Sequence, residues 1–171
     1  MALDSYVKTD LNGTVTLSDG TGAPLSIVLA FDNGDFTAGP YQDLMNEIEA
    51  FERRGKFTSL APGSRFYPAG SFTAMVHQFT DASADVLSDF LLRNNKFSAA
   101  ISTSGTNHPV YTVDVKFDIE GTDFGGVDST VTFADCVVRI DNITEGRPTT
   151  WSVSWTCYGT VTGDLGMAEV T

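Results

Sequence analysis

The most regular pattern in the chain lies between residues 111 and 120, where Tyr111, Val113, Val115, Phe117 and Ile119 alternate with Thr112, Asp114, Lys116, Asp118 and Glu120. Strand side chains point to opposite faces with a period of two, so the stretch predicts a strand with one apolar face and one charged face. The same alternation runs through residues 13–18, resumes at Val131 and Phe133, and continues along Trp151, Val153, Trp155, Cys157 and Val161. Residues 25–31 instead form a continuous apolar run between Pro24 and Asp32-Asn33-Gly34-Asp35, the pattern of a strand covered on both sides. Turn-forming residues separate these segments at Asp19-Gly20-Thr21-Gly22, between Gly121 and Gly126, and at Glu145-Gly146-Arg147-Pro148.

Helical periodicity is rarer. A helix is predicted from about Asp81 to about Asn94, with Val86, Leu87, Phe90 and Leu91 on one stripe and the Asp81 carboxylate placed to accept from first-turn amides. Residues 43–53 fit either state: Leu44, Met45, Ile48 and Phe51 have helical spacing, while the charges between them suit a helix or an exposed strand equally. From 55 to 70 the chain carries Gly55, Pro62, Gly63, Pro68 and Gly70 among scattered aromatics, which predicts a long projecting loop or hairpin.

Composition agrees with an all-β chain. There are 21 threonines, 15 valines and 12 phenylalanines, residues that fit a pleated, half-buried surface, together with 16 glycines and 6 prolines for the turns. A length of 171 residues predicts one domain over 1–171 with one core. The net charge of −12 argues against a surface that grips phosphates. No apolar run approaches the roughly 18 residues of a spanning helix, and the opening residues lack a secretory pattern, so no membrane association is expected.

Chemistry-bearing residues are few. His77 and His108 have no recognisable nucleophile or carboxylate partner, and no Gly-x-Ser-x-Gly turn occurs, so no enzyme activity and no catalytic residue is expected. Cys136 and Cys157 fall on apolar strands, which predicts buried thiols in preference to a disulfide. Gly20-Thr21-Gly22 precedes a strand and not a helix, so it does not read as a phosphate loop. Asp118, Glu120, Asp123 and Asp128 lack the spacing of a calcium loop, and no metal or other cofactor is expected. Trp151 and Trp155 share a strand face about 13 Å apart, at ~3.3 Å per residue. That spacing leaves open a non-catalytic carbohydrate-binding β-sandwich using Trp151, Trp155 or Tyr158, although core packing is favoured.

The chain resembles the tail tube (major tail) proteins of tailed bacteriophages. The similarity is carried by the opening run from Gly13-Thr14-Val15-Thr16 to Gly20-Thr21-Gly22, by Glu52-Arg53-Arg54-Gly55, by the single helix, and by the closing order of strands around Ser129-Thr130-Val131-Thr132-Phe133 and from Trp151 onward. The resemblance implies a β-sandwich or small β-barrel with one flanking helix, and a strand over 45–53. It implies hexameric rings that stack into a virion tail tube, assembled in the host bacterial cytoplasm, with tape measure, terminator and distal tail proteins as further partners. DNA would pass through the lumen without specific binding. A single-ring tail-terminator or head-completion protein would share this pattern and is the alternative. Within that frame Asp114, Lys116, Asp118 and Glu120 are candidates for the lumen-facing row, although an outer solvent face alternates in the same way. Phe57, Leu60, Phe66 and Tyr67 are candidates for contacts between rings.

Overall fold

The computed structural model describes residues 13–29, 35–40, 46–119 and 129–164. Its main sheet begins with β1 (Gly13–Ser18) and β2 (Ser26–Leu29), which form an antiparallel pair. The turn between them is fixed by Asp19, whose Oδ1 accepts from the Leu25 amide at 2.7 Å and from Thr21 Oγ1 at 2.8 Å. Its Oδ2 accepts from the Ile101 amide at 2.9 Å. Every close donor around this buried carboxylate is therefore a local turn or a neighbouring segment, which explains an acidic group in the interior. The glycines flanking Thr21 serve this turn and not a phosphate.

The remaining sheet strands are β3 (Thr37–Gly39), β6 (Ala69–Met75), β7 (Val113–Ile119), β8 (Ser129–Thr144), β9 (Thr150–Cys157) and β10 (Val161–Gly163). They are arranged in the order β2-β1-β7-β8-β9-β6-β3, with β10 on β8 off that path. The path does not close, and β2 and β3 stand at its two ends. The small-barrel form is therefore not realised, and the all-β architecture is that of an open, folded sheet.

The fold is created by β8. Its first half pairs with β7 and β10, and its second half pairs with β9. Between the halves, Val113 faces Cys136 while Val115 faces Phe133, so β8 carries an extra residue, and Asp135 sits there at φ 52°. A bulge of this kind bends a strand and increases its twist. The two halves of the sheet are thereby brought face to face across one core, where Phe133 meets Trp155 at 4.5 Å between ring centroids and Phe36 stacks on Phe117 at 4.3 Å.

The helix, α1 (Leu87–Leu92), is shorter than the periodicity predicts. Asp81 does cap a turn, but the amides its carboxylate receives belong to Ser83 and Ala84, and the chain returns to extended geometry at Val86 before the helix starts. Asp89 then accepts from Thr80 Oγ1 at 3.0 Å and from the Asp81 amide at 2.9 Å, tying the helix to the segment that precedes it. Leu87 and Phe90 are buried as the apolar stripe requires, and Arg93 ends the helix in the left-handed region.

A separate ribbon is made by β4 (Asn46–Arg53) and β5 (Lys56–Arg65), so the ambiguous segment is a strand and the stretch after Gly55 is its antiparallel partner. Arg54 and Gly55 both have positive φ, 54° and 72°, the backbone of a two-residue type I′ turn.

Candidate functional site: the polar sheet face and the hairpin

Two surfaces collect the residues singled out by the sequence. On the first, β7 directs Val113 and Val115 into the core and Asp114, Lys116 and Asp118 to the opposite face. Register extends that face across neighbouring strands, because Ser18 lies opposite Asp114, Thr16 opposite Lys116, and Thr14 opposite Asp118. On the other side Thr132 faces Lys116 and Thr130 faces Asp118, and Thr162 of β10 continues the row beside Thr132. The result is a band of hydroxyls around a line of three charges. Glu120 lies outside the described residues.

Electrostatically this band is milder than the overall charge implies. Lys116 Nζ pairs with Asp118 Oδ2 at 2.9 Å, which leaves Asp114 as the uncompensated carboxyl of the described row. Burial pushes the Asp114 carboxyl above its usual range, and the nearby Asp135 carboxylate adds to the upward shift. The Asp135 amide, donating to Asp114 Oδ1 at 3.1 Å, acts in the other direction. Asp135 itself accepts from Thr103 Oγ1 at 2.7 Å and Ser104 Oγ at 2.9 Å, so the bulge is anchored by the loop before β7. One paired lysine set among threonines and aspartates offers little to a phosphate backbone.

The second surface is the β4–β5 ribbon, neither strand of which pairs with the main sheet. Cross-strand register places Ile48 opposite Pro62 and Ala50 opposite Leu60, so these four side chains share one face. That face is open to solvent: Ile48 is 58% exposed and Leu60 61%. At the ribbon's root, Arg65 Nη2 donates to the Gly159 carbonyl at 2.7 Å and the Tyr158 carbonyl at 3.1 Å, fastening β5 to the turn after β9. Tyr67 lies beneath the Arg65 guanidinium and 5.0 Å from the Tyr158 ring, and it is partly exposed. Phe66 packs against the core, so of the four predicted contact residues Leu60 and Tyr67 are the ones presented outward. Phe57 is on β5, and its side chain is not among those described. Sequence reasoning missed Ile48, whose membership of this face follows only once 46–53 is read as a strand paired in this register.

The other chemical candidates disperse. His77 and His108 are exposed, and the His108 ring hydrogen-bonds the Val110 backbone through Nδ1. Among the described residues no three His, Cys, Asp or Glu side chains gather as a metal site would require. Asp123 and Asp128 lie outside the described residues. Trp151 and Trp155 are 5% and 2% exposed and present no ring face to a sugar, so of the three rings considered for stacking Tyr158 is the one left at the surface. Cys136 and Cys157 are buried free thiols. No helix among the described residues is long and apolar enough to cross a membrane.

No protein-family model matches the sequence, and no curated protein matches it. Among solved structures, the anti-feeding prophage cap, described as the AFP tube terminating cap and determined by cryo-EM, superposes with a TM-score of 0.52 at 12% identity. The match covers 97% of this chain and 95% of that one, so the two share a fold along essentially their whole lengths.

Proposed function

We propose that this protein is a non-catalytic structural component of a phage-type tail, forming a hexameric ring that terminates a tail tube. The observation that carries the reading is the conjunction of an open sheet and an unsupported ribbon. Among the described residues β2 pairs only with β1, and β3 only with β6, so each end of the sheet has an unpaired edge. Such edges invite pairing with another chain, and a ring of identical subunits satisfies them by running the sheet from one copy into the next. A two-stranded ribbon is marginal by itself in water, and an apolar ribbon face gains support when a neighbouring ring covers it. The full-length fold match to a tube terminating cap favours the terminator over the tube itself.

In this reading the hydroxyl-rich face bearing Asp114, Lys116 and Asp118 lines the passage. DNA slides past it because so few cations displace few of its counterions, and binding gains little. The ribbon, through Ile48, Leu60 and Tyr67, meets the last ring of the tube, and the terminator's partners are the other tail proteins. A continuously stacking tube protein is the second reading, supported by the same edges and the same ribbon. Negative-stain electron microscopy of the concentrated, purified protein separates the two. Single rings of constant height support the terminator, lengthening tubes support the tube protein, and dispersed monomers at every concentration refute both.

A further inference from the structure

We propose that Cys136 and Cys157 form a latent cross-strand disulfide, an oxidative modification site that hydrogen peroxide closes without rearranging the sheet. The two residues are directly opposite each other in the β8–β9 register and both are fully buried. Directly opposed residues in an antiparallel pair have Cα atoms roughly 4.5 or 5.5 Å apart. Both spacings fall inside the range of about 4.4 to 6.8 Å that a disulfide spans. Their side chains project to the same face, and the two thiols interact with each other. Each thiol is now directed to a backbone carbonyl, Cys136 Sγ to Phe133 at 3.2 Å and Cys157 Sγ to Ala134 at 3.1 Å.

The two sulfurs are not equivalent. The neighbouring Cys136 side chain, the Gly159 backbone and the Arg65 guanidinium hold the Cys157 thiol below its ordinary range against the opposing effect of its burial, whereas burial pushes Cys136 up. Cys157 is therefore the attacking sulfur and Cys136 the resolving one. The Cys157 thiolate attacks one peroxide oxygen, the O–O bond breaks, and the departing hydroxide takes up the proton that Cys157 released, leaving a sulfenic acid and water. The Cys136 sulfur then attacks the sulfenic sulfur, the S–O bond breaks, and hydroxide leaves with the Cys136 proton as a second water. Two thiols are oxidised and one peroxide is reduced to two waters. Peroxide is little larger than water and would reach the buried thiols by local opening at the end of β9, where the chain turns through Tyr158 and Gly159. The bond would pin β9 to the bulge of β8, at the corner where Arg65 also fastens the ribbon.

The test treats native protein with hydrogen peroxide, quenches with catalase, unfolds and alkylates it, and maps tryptic peptides without reduction. Cleavage after Lys116 and Arg139 separates Cys136 on peptide 117–139 from Cys157 on the C-terminal peptide beginning at residue 140. The expected result is one linked peptide pair lacking two hydrogens, no alkylated cysteine, and a Tm higher by about 5 °C that dithiothreitol reverses. In Cys136→Ala, Cys157 is expected to be trapped as a sulfenic acid by dimedone. In Cys157→Ala, Cys136 is expected to remain a thiol. Two alkylatable thiols in the treated wild type, separate oxygenation of each sulfur, or a link between two chains overturns the proposal. Should either variant fail to fold, the wild-type peptide map decides alone.

Discussion

Replacing Ile48 and Leu60 together with threonine tests whether the ribbon face is an assembly surface. Threonine retains strand propensity, so the type I′ turn and the pairing of β4 with β5 are preserved. In the isolated subunit the two side chains are 58% and 61% exposed, so most of their apolar surface is still available for burial by a partner. Fully burying a side chain of this kind is worth roughly 1.5–3 kcal/mol, and the fraction still exposed therefore corresponds to about 1–2 kcal/mol each, or about 2–4 kcal/mol for the pair. At 1.4 kcal/mol per tenfold, each ribbon's contact with the tube end should weaken by roughly 30- to 700-fold. Surface substitutions of this sort change subunit stability by only about 0.5 kcal/mol. Co-sedimentation with assembled tail tubes over a concentration series reads the association, and urea unfolding of the dilute subunit reads the stability. Unchanged association in the double variant would refute the argument. So would a fall in subunit stability well above 1 kcal/mol, because the face would then be supporting its own chain.

Phe133→Ala should lower unfolding free energy by about 3–5 kcal/mol in urea melts, because Phe133 is fully buried against Trp155 where the two halves of the sheet meet. Gly70→Ala should detach β3 from β6, since a Cβ there would fall 1.8 Å from the Thr37 carbonyl oxygen; hydrogen exchange should show loss of protection at Ser71, whose amide donates to Thr37 Oγ1. The Asp114 carboxyl has a raised folded-state pKa, so its ionisation opposes folding above the unfolded value and that penalty disappears as pH falls through it. Asp114→Asn keeps an acceptor for the Asp135 amide and should raise the melting temperature at pH 7 while changing little at pH 3. Asp89 behaves oppositely: the Asp81 amide and the Thr80 and Asn95 side chains hold its carboxyl below the usual range. Its contribution is present above the unfolded pKa and is lost as pH falls through the folded one, so Asp89→Asn should destabilise at pH 7 and matter little at pH 2.

Strand identity and facing were legible where the alternation is strict, because a period of two is a local property that needs no partner to be read, but not in β2, where the continuous apolar run predicts cover on both sides and Val28 is exposed. Val113, Val115, Val153 and Trp155 are buried as that alternation predicts, and Asp114, Lys116 and Asp118 share the other face. The turn at Arg54-Gly55 was not singled out, although Gly55 carries a local signal for the positive φ that the hairpin requires. The helix was overextended because the carboxylate of Asp81 signals a capped turn, and only the extended backbone at Val86 decides that this turn does not propagate. Tertiary structure alone decided the pairing of β4 with β5, the bend of β8 at Asp135, the opposition of Cys136 and Cys157, and the open path ending at β2 and β3. Each of these depends on which strand lies beside which. That choice is made by closing long loops around a shared core, and a pattern read one segment at a time contains no record of it.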